Sequence, residues 1–129
     1  MTNDFDITKI EDEVIGIVRS LGISQKVYGN RPKAADPASD FVVVSTMNGV
    51  SDLAAYGECT VRIDLFAKDI DFVKNRKKLS SMYQKLRKGF PADSGRLLFD
   101  TEWHILGDAP DDFGFHARMI RINTTIKAI

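Results

Sequence analysis

The chain has 129 residues, with 18 basic and 18 acidic side chains. That length supports one domain around one core, burying roughly two-thirds of the extended-chain surface without staples. The cancelled charge excludes a global field for nucleic acid or an anionic membrane, and a single cysteine, Cys59, excludes an intrachain disulfide.

Met1 to Asp6 are acidic and lack the basic and apolar regions of a secretory leader. No apolar run approaches the roughly 18 residues of a membrane span. A soluble protein with no membrane partner is expected, retained where it is made.

In chain order, Ile7, Ile10, Val14, Ile17, Val18 and Leu21 hold the spacing of an amphipathic helix. Asp6 can cap it, or Thr8 with Glu11 can form a capping box one turn later. Gly22 supplies the stop. Lys26 to Asn30 reads as a short strand ended by Pro32, and Arg31 to Asp40, with two prolines, as an irregular loop. Phe41-Val-Val-Val-Ser-Thr is rich in β-branched residues and predicts a strand. Met47 to Tyr56 carries the turn signal Asn48-Gly49 in a connection longer than a tight hairpin needs, long enough to project.

From Glu58 to Lys68 the pattern alternates. Cys59, Val61, Ile63, Leu65 and Ala67 face inward, and Thr60, Arg62 and Asp64 outward. At its inward position Cys59 acts as a small hydrophobe. A second helix follows, with Asp69 or Asp71 as cap, Phe72, Leu79, Met82, Tyr83 and Leu86 on one stripe, and Gly89 and Pro91 marking its end. Leu97 to Leu106 alternates again, placing Leu97, Phe99, Trp103 and Ile105 inward and Asp100, Glu102 and His104 outward. Gly107 to Gly114 reads as a turn. Phe115 to Ile126 is the last strand, and a bulge near Arg118 would repair the poor parity of its first half.

Short connections favour antiparallel pairing, and both helices need the same sheet face for burial. The fold class expected is α+β: a two-layer sandwich of a mainly antiparallel sheet of about four to five strands with two helices on one face, forming a single domain over residues 1–129.

Residues capable of chemistry are sparse. Arg62, Asp64, Asp100, Glu102 and His104 share the outer sheet face, as an acid–base set, half a metal site, or a ladder of cross-strand charge pairs. Neither Cys-x-x-Cys nor His-Glu-x-x-His occurs, nor a phosphate-binding glycine loop or a nucleophile elbow. No catalytic residue, cofactor or metal is therefore expected. The second helix carries Lys74, Lys77, Lys78, Lys85 and Lys88 opposite its apolar stripe, while Asp4, Asp6, Glu11, Asp12 and Glu13 make the N-terminal segment acidic. That asymmetry suits basic-to-acidic contact between copies, a phosphate-tracking surface for DNA, or simply a solvated helix face. No aromatic residue interleaves with the lysines, so a sequence-specific nucleic-acid partner is not expected. Leu53 and Tyr56 are candidate apolar anchors for a partner.

Tyr28-Gly-Asn-Arg-Pro32, Phe41-Val-Val-Val44 and Ile63-Asp-Leu-Phe-Ala-Lys-Asp69, with Asn75 and Leu79, resemble the layout of the tail terminator and tail-completion proteins of tailed phages. The resemblance covers nearly the whole chain. It implies a non-enzymatic virion component, typically a ring of six copies, that caps the tail tube and meets the head connector. Its location would be the virion, or the host cytoplasm during assembly. The interface candidates are Leu53, Tyr56, Lys74, Lys77, Lys78, Lys85, Asp12 and Glu13. Competing readings are a small protein-binding module that docks through the open sheet face, and a minor enzyme built on Asp64, Glu102 and His104.

Overall fold

A computed structural model describes residues 5–29 and 40–128 of the chain. Residues 31–39 of the expected loop lie outside that range, as do Asp4 and the Asn30, Arg31 and Pro32 positions of the Tyr28 motif. Helix α1 (Ile7–Ser20) starts at Asp6, whose carboxylate accepts from the Thr8 amide at 2.8 Å. Glu11 makes no capping box: its Oε2 accepts from the Thr46 amide at 2.7 Å and from the Thr46 hydroxyl at 3.2 Å. Ile10, Val14, Ile15 and Val18 are buried, and Gly22 leaves the helix at φ 67°.

Strand β1 (Val27–Tyr28) pairs in parallel with β2 (Asp40–Asp52), which pairs antiparallel with β3 (Tyr56–Lys68). The projecting loop expected between Met47 and Tyr56 is a correction. Here β2 continues to Asp52, and a tight turn with Ala54 at φ 69° returns the chain, Leu53 donating to the Tyr56 carbonyl at 2.9 Å. Asn48 and Gly49, at φ 57° and 75°, lie within a bulge, where the pairing register shifts between Met47 and Val50.

Helix α2 (Arg76–Gly89) is capped by Asn75, whose side chain accepts from the Lys78 amide at 3.1 Å. Neither Asp69 nor Asp71 caps it: Asp69 Oδ1 meets His116 Nδ1 at 2.6 Å, and Asp71 sits in a turn before the helix. Leu79, Met82 and Leu86 form the buried stripe. Phe72, expected on that stripe, precedes the helix and is fully exposed.

The chain closes with β4 (Asp93–Ser94), β5 (Leu97–Phe99), β6 (His104–Ile105), β7 (Ala109–Pro110) and β8 (Phe115–Lys127). The single strand expected from Leu97 to Leu106 is broken. Asp100 Oδ1 accepts from the Glu102 amide and Trp103 Nε1 donates to the Asp100 carbonyl, both at 3.1 Å, bending the chain out of the ladder. Trp103 packs edge-on against Phe90 at 5.7 Å, whereas Ile105, expected inward, is exposed. The expected turn at Gly107 to Gly114 contains β7. In consequence β5, β6 and β7 tile one edge of β8 in succession.

Among the described residues the sheet has eight strands in the order β1-β2-β3-β8-β5-β4, with β6 and β7 also on β8. The α+β class holds, but the two-layer sandwich of four to five strands is replaced by a larger mixed sheet curled into a half-barrel. Strand count rises because bends fragment the closing strand. The apolar stripes of both helices enter one core with Val42, Val44, Val61, Ile63, Leu65, Ile120, Ile122 and Ile126. A second cluster, Phe41, Val43, Phe66, Phe115 and Ala117, lies on the other face, where Phe41 stacks on Phe66 with ring centroids 4.5 Å apart. Burial on both faces explains the uninterrupted Phe41–Val44 run.

No bulge occurs near Arg118, because β3 and β8 pair without a break from Tyr56–Lys127 to Lys68–Phe115. Arg118 lies opposite Leu65, on the helix face, where Asp108 accepts from its Nε at 2.8 Å and its Nη2 at 3.0 Å. The poor parity is a buried-side ion pair at the end of the sheet.

Candidate functional site

Three surfaces hold the candidate residues and the most exposed apolar side chains of the described structure. The first is the connection from β3 to α2. Ile70 and Val73 exchange both backbone hydrogen bonds at 2.9 Å, closing a two-residue turn in which Asp71 and Phe72 take φ 51° and 66°. Two successive positive φ values are the demand of a type I′ turn, normally met by Asn-Gly. Here a phenylalanine holds the second position with its side chain 100% exposed, flanked by Ile70 at 60% and Val73 at 64%. Phe113, half exposed, belongs to the neighbouring β7–β8 connection, which the Asp69 amide joins through the Gly114 carbonyl at 2.8 Å. Leu53 and Tyr56 are exposed at the β2–β3 turn, separated from this tip by the whole of β3, roughly 40 Å for 13 residues.

The second surface holds the expected charges, and the structure divides them. Lys74 is not on α2; it precedes the Asn75 cap and pairs with Asp108 at 3.3 Å. Lys78 pairs with Asp40 at 3.7 Å, while Lys77 and Lys85 stand exposed on the helix. Glu13 pairs with Arg96 at 3.2 Å, and Asp12 is exposed. Half of the proposed basic-to-acidic complementarity is thus met inside the subunit. Arg118, hydrogen-bonded to Asp108 and aided by Lys74, holds the Asp108 carboxyl below its usual range; Asp108 in turn pushes the Arg118 guanidinium up.

The third surface is the curled sheet face away from the helices. Arg62 Nε donates to both Asp64 oxygens at 2.9 and 3.0 Å, and Arg62 Nη2 reaches Met119 Sδ at 3.1 Å. Asp64, expected to be wet, is buried, and burial pushes its carboxyl up against the pull of Arg62 and Arg121. Arg121 pairs across the sheet with Arg62 on one side and His104 on the other. Its Nε is buried without a hydrogen-bond partner. Asp100, Glu102, His104 and Arg121 line a cavity of about 460 Å³ with Thr60 and Asn123. The set Asp64, Glu102 and His104 is therefore split: Asp64 is engaged by Arg62, while the other two sit at the cavity.

Cys59 is buried on the helix face, and burial, with a smaller push from Glu11, raises its thiol to about 11. A nucleophilic thiol needs the opposite shift. Among the described residues no group of three His, Cys, Asp or Glu side chains is placed to hold a metal ion, and no helix is long and apolar enough to cross a membrane.

The sequence reading missed Phe72 as an exposed tip and Arg121 as a member of a cross-sheet row. Phe72 falls at helical spacing from Leu79, so it imitated a core position. Arg121 becomes informative only when its strand neighbours are known. Comparison with protein-family models gave no match, and neither did comparison with curated proteins.

Proposed function

We propose that this chain is a non-enzymatic structural assembly protein of a tailed phage or prophage, a tail terminator or tail-completion component. It forms a homo-oligomeric ring that caps the tail tube and joins it to the head connector. The phage assignment rests on the resemblance carried by Tyr28, Phe41–Val44 and Ile63–Asp69. The observation that carries an assembly role is the apolar tip Ile70-Asp71-Phe72-Val73. A bulky residue kept at positive φ with its ring wholly in solvent costs the lone subunit free energy and returns nothing to its fold. Burial in a neighbour offsets that cost. Leu53 and Tyr56 at the far end of β3 give the subunit a second, different apolar end, as head-to-tail closure of a ring requires.

The test is native mass by light scattering over a concentration series, with negative-stain imaging, alone and with purified tail tubes. Rings of a few to a dozen copies, formed alone or on tubes and weakened by Phe72→Ser, support the proposal. A monomer at every concentration that also ignores tail tubes overturns it, and leaves the binding-module reading in its place.

A further inference from the structure

We propose that the curled sheet face around Arg121 is a binding site for a small oxyanion group, a carboxylate or a phosphate. The site does not depend on the assembly reading. Its core is a row of three nitrogen-rich side chains set side by side: Arg62 opposite Arg121, and Arg121 opposite His104. Like charges directly opposite each other destabilise a sheet unless an anion separates them. Asp64 supplies one anion, but Arg62 engages both of its oxygens. Arg121 acts on the Asp64 carboxyl only through space, and its buried Nε–H has no acceptor. Buried guanidinium nitrogens are normally satisfied, and an oxyanion satisfies them through charge-assisted bonds.

The surroundings fit such a ligand. A cavity of about 460 Å³ adjoins Arg121 and is lined by His104, Thr60, Asn123 and Asn48. Thr60 Oγ1 donates to Asn123 Oδ1 at 3.1 Å, which leaves the Asn123 amide nitrogen as a donor to the cavity. Two carboxylates, Asp100 and Glu102, also line the cavity. Asp100 Oδ1 is engaged by the Glu102 amide at 3.1 Å. Their charge opposes any anion, so binding rests on the Arg121, His104 and Asn123 side of the cavity, and a long polyanion such as a nucleic-acid backbone is opposed more than a single small group.

The experiment follows the Arg121 Nε–H resonance and the backbone amides of His104 and Asn123 by NMR in the full chain. Inorganic phosphate and succinate are titrated separately, with chloride holding ionic strength constant. Saturable shifts with at least one anion are expected, weakened about tenfold or more in Arg121→Gln, the loss of roughly one charge-assisted contact. His104→Ala, at an exposed position, tests the same row should Arg121→Gln fail to fold, and is expected to weaken binding severalfold. Saturation by phosphate alone or by succinate alone identifies the group and supports the site. Linear, non-saturating shifts with both anions, or saturable binding unchanged in every folded variant, overturn it. Phe72→Ser is expected to leave this binding intact, so the assembly reading and the oxyanion site fail separately.

Discussion

Replacing Phe72 by glycine is expected to move stability and assembly in opposite directions. At φ 66° a residue with a Cβ pays roughly 1–2 kcal/mol for the left-handed region, a penalty glycine lacks. Glycine loses about 0.5–1 kcal/mol through its greater freedom in the unfolded chain. Because the Phe72 ring is 100% exposed, its removal forfeits no burial, and the subunit gains about 0.5–1 kcal/mol. In a chain of 129 residues that raises Tm by about 2–4 °C. In the proposed assembly, burying the Phe72 side chain would be worth about 1.5–3 kcal/mol per interface, so its loss is expected to weaken association about 10- to 150-fold. Urea unfolding of the dilute subunit reads the first effect, and light scattering against concentration the second. A destabilised subunit would mean that Phe72 packs within its own fold. Unchanged association would mean that the tip touches no neighbour. Either result refutes the reasoning.

Three further outcomes follow from contacts inside the subunit. Asp108→Ala removes the acceptor of Arg118 and the partner of Lys74, and is expected to cost about 2–3 kcal/mol at pH 7. Because the folded-state Asp108 carboxyl lies below its ordinary value, this contribution is present above the ordinary carboxylate range and fades as pH falls through the folded value. Urea unfolding at pH 7 and pH 3 checks it, and an equal cost at both refutes it. Asn75→Ala strips the α2 cap and is expected to cost about 1 kcal/mol, with Asn75→Asp largely sparing it; thermal unfolding of the pair decides. Cys59, raised to about 11 and buried, is expected to react with iodoacetamide at pH 8 far more slowly in the folded chain than in urea, and comparable rates would contradict its placement.

Periodic segments were legible in the sequence and punctuated ones were not. Ile10, Val14 and Val18 of the α1 stripe, the inward set of β3 with Cys59, and Leu79, Met82 and Leu86 of α2 sit where alternation or helical spacing put them, whereas Ile7, at the start of the α1 stripe, is exposed. Asn48-Gly49 misled because the same positive-φ residues serve a turn and a bulge, and only pairing across to β3 distinguishes them. His116 and Arg118 broke parity because they are polar side chains on the helix-facing side whose partners, Asp69 and Asp108, come from distant connections. The Ile70–Val73 turn lacks the Asn-Gly signature its geometry favours, so its residues read as the start of a helix. Charge placement suffered similarly: Lys74 and Lys78 looked free until Asp108 and Asp40 were folded against them. The Arg62–Arg121–His104 row depends on strand adjacency, which alternation does not specify.

The two margins of the sheet are both blunted. At one, β1 covers β2 for two residues, and farther along the Glu11 carboxylate takes the Thr46 amide. At the other, three short, bent fragments cover β8, with two-residue β4 outside β5. Long runs of unpaired amides and carbonyls would invite another chain to extend the ladder, the route to uncontrolled fibres. That route is narrowed rather than closed, because among the described residues no strand pairs the outer edge of β2 beyond Val43, and contacts through side chains and turns are the alternative to it. Such contacts are lost to single substitutions without unfolding the subunit, so encounter strength is tunable apart from the barrel that displays it.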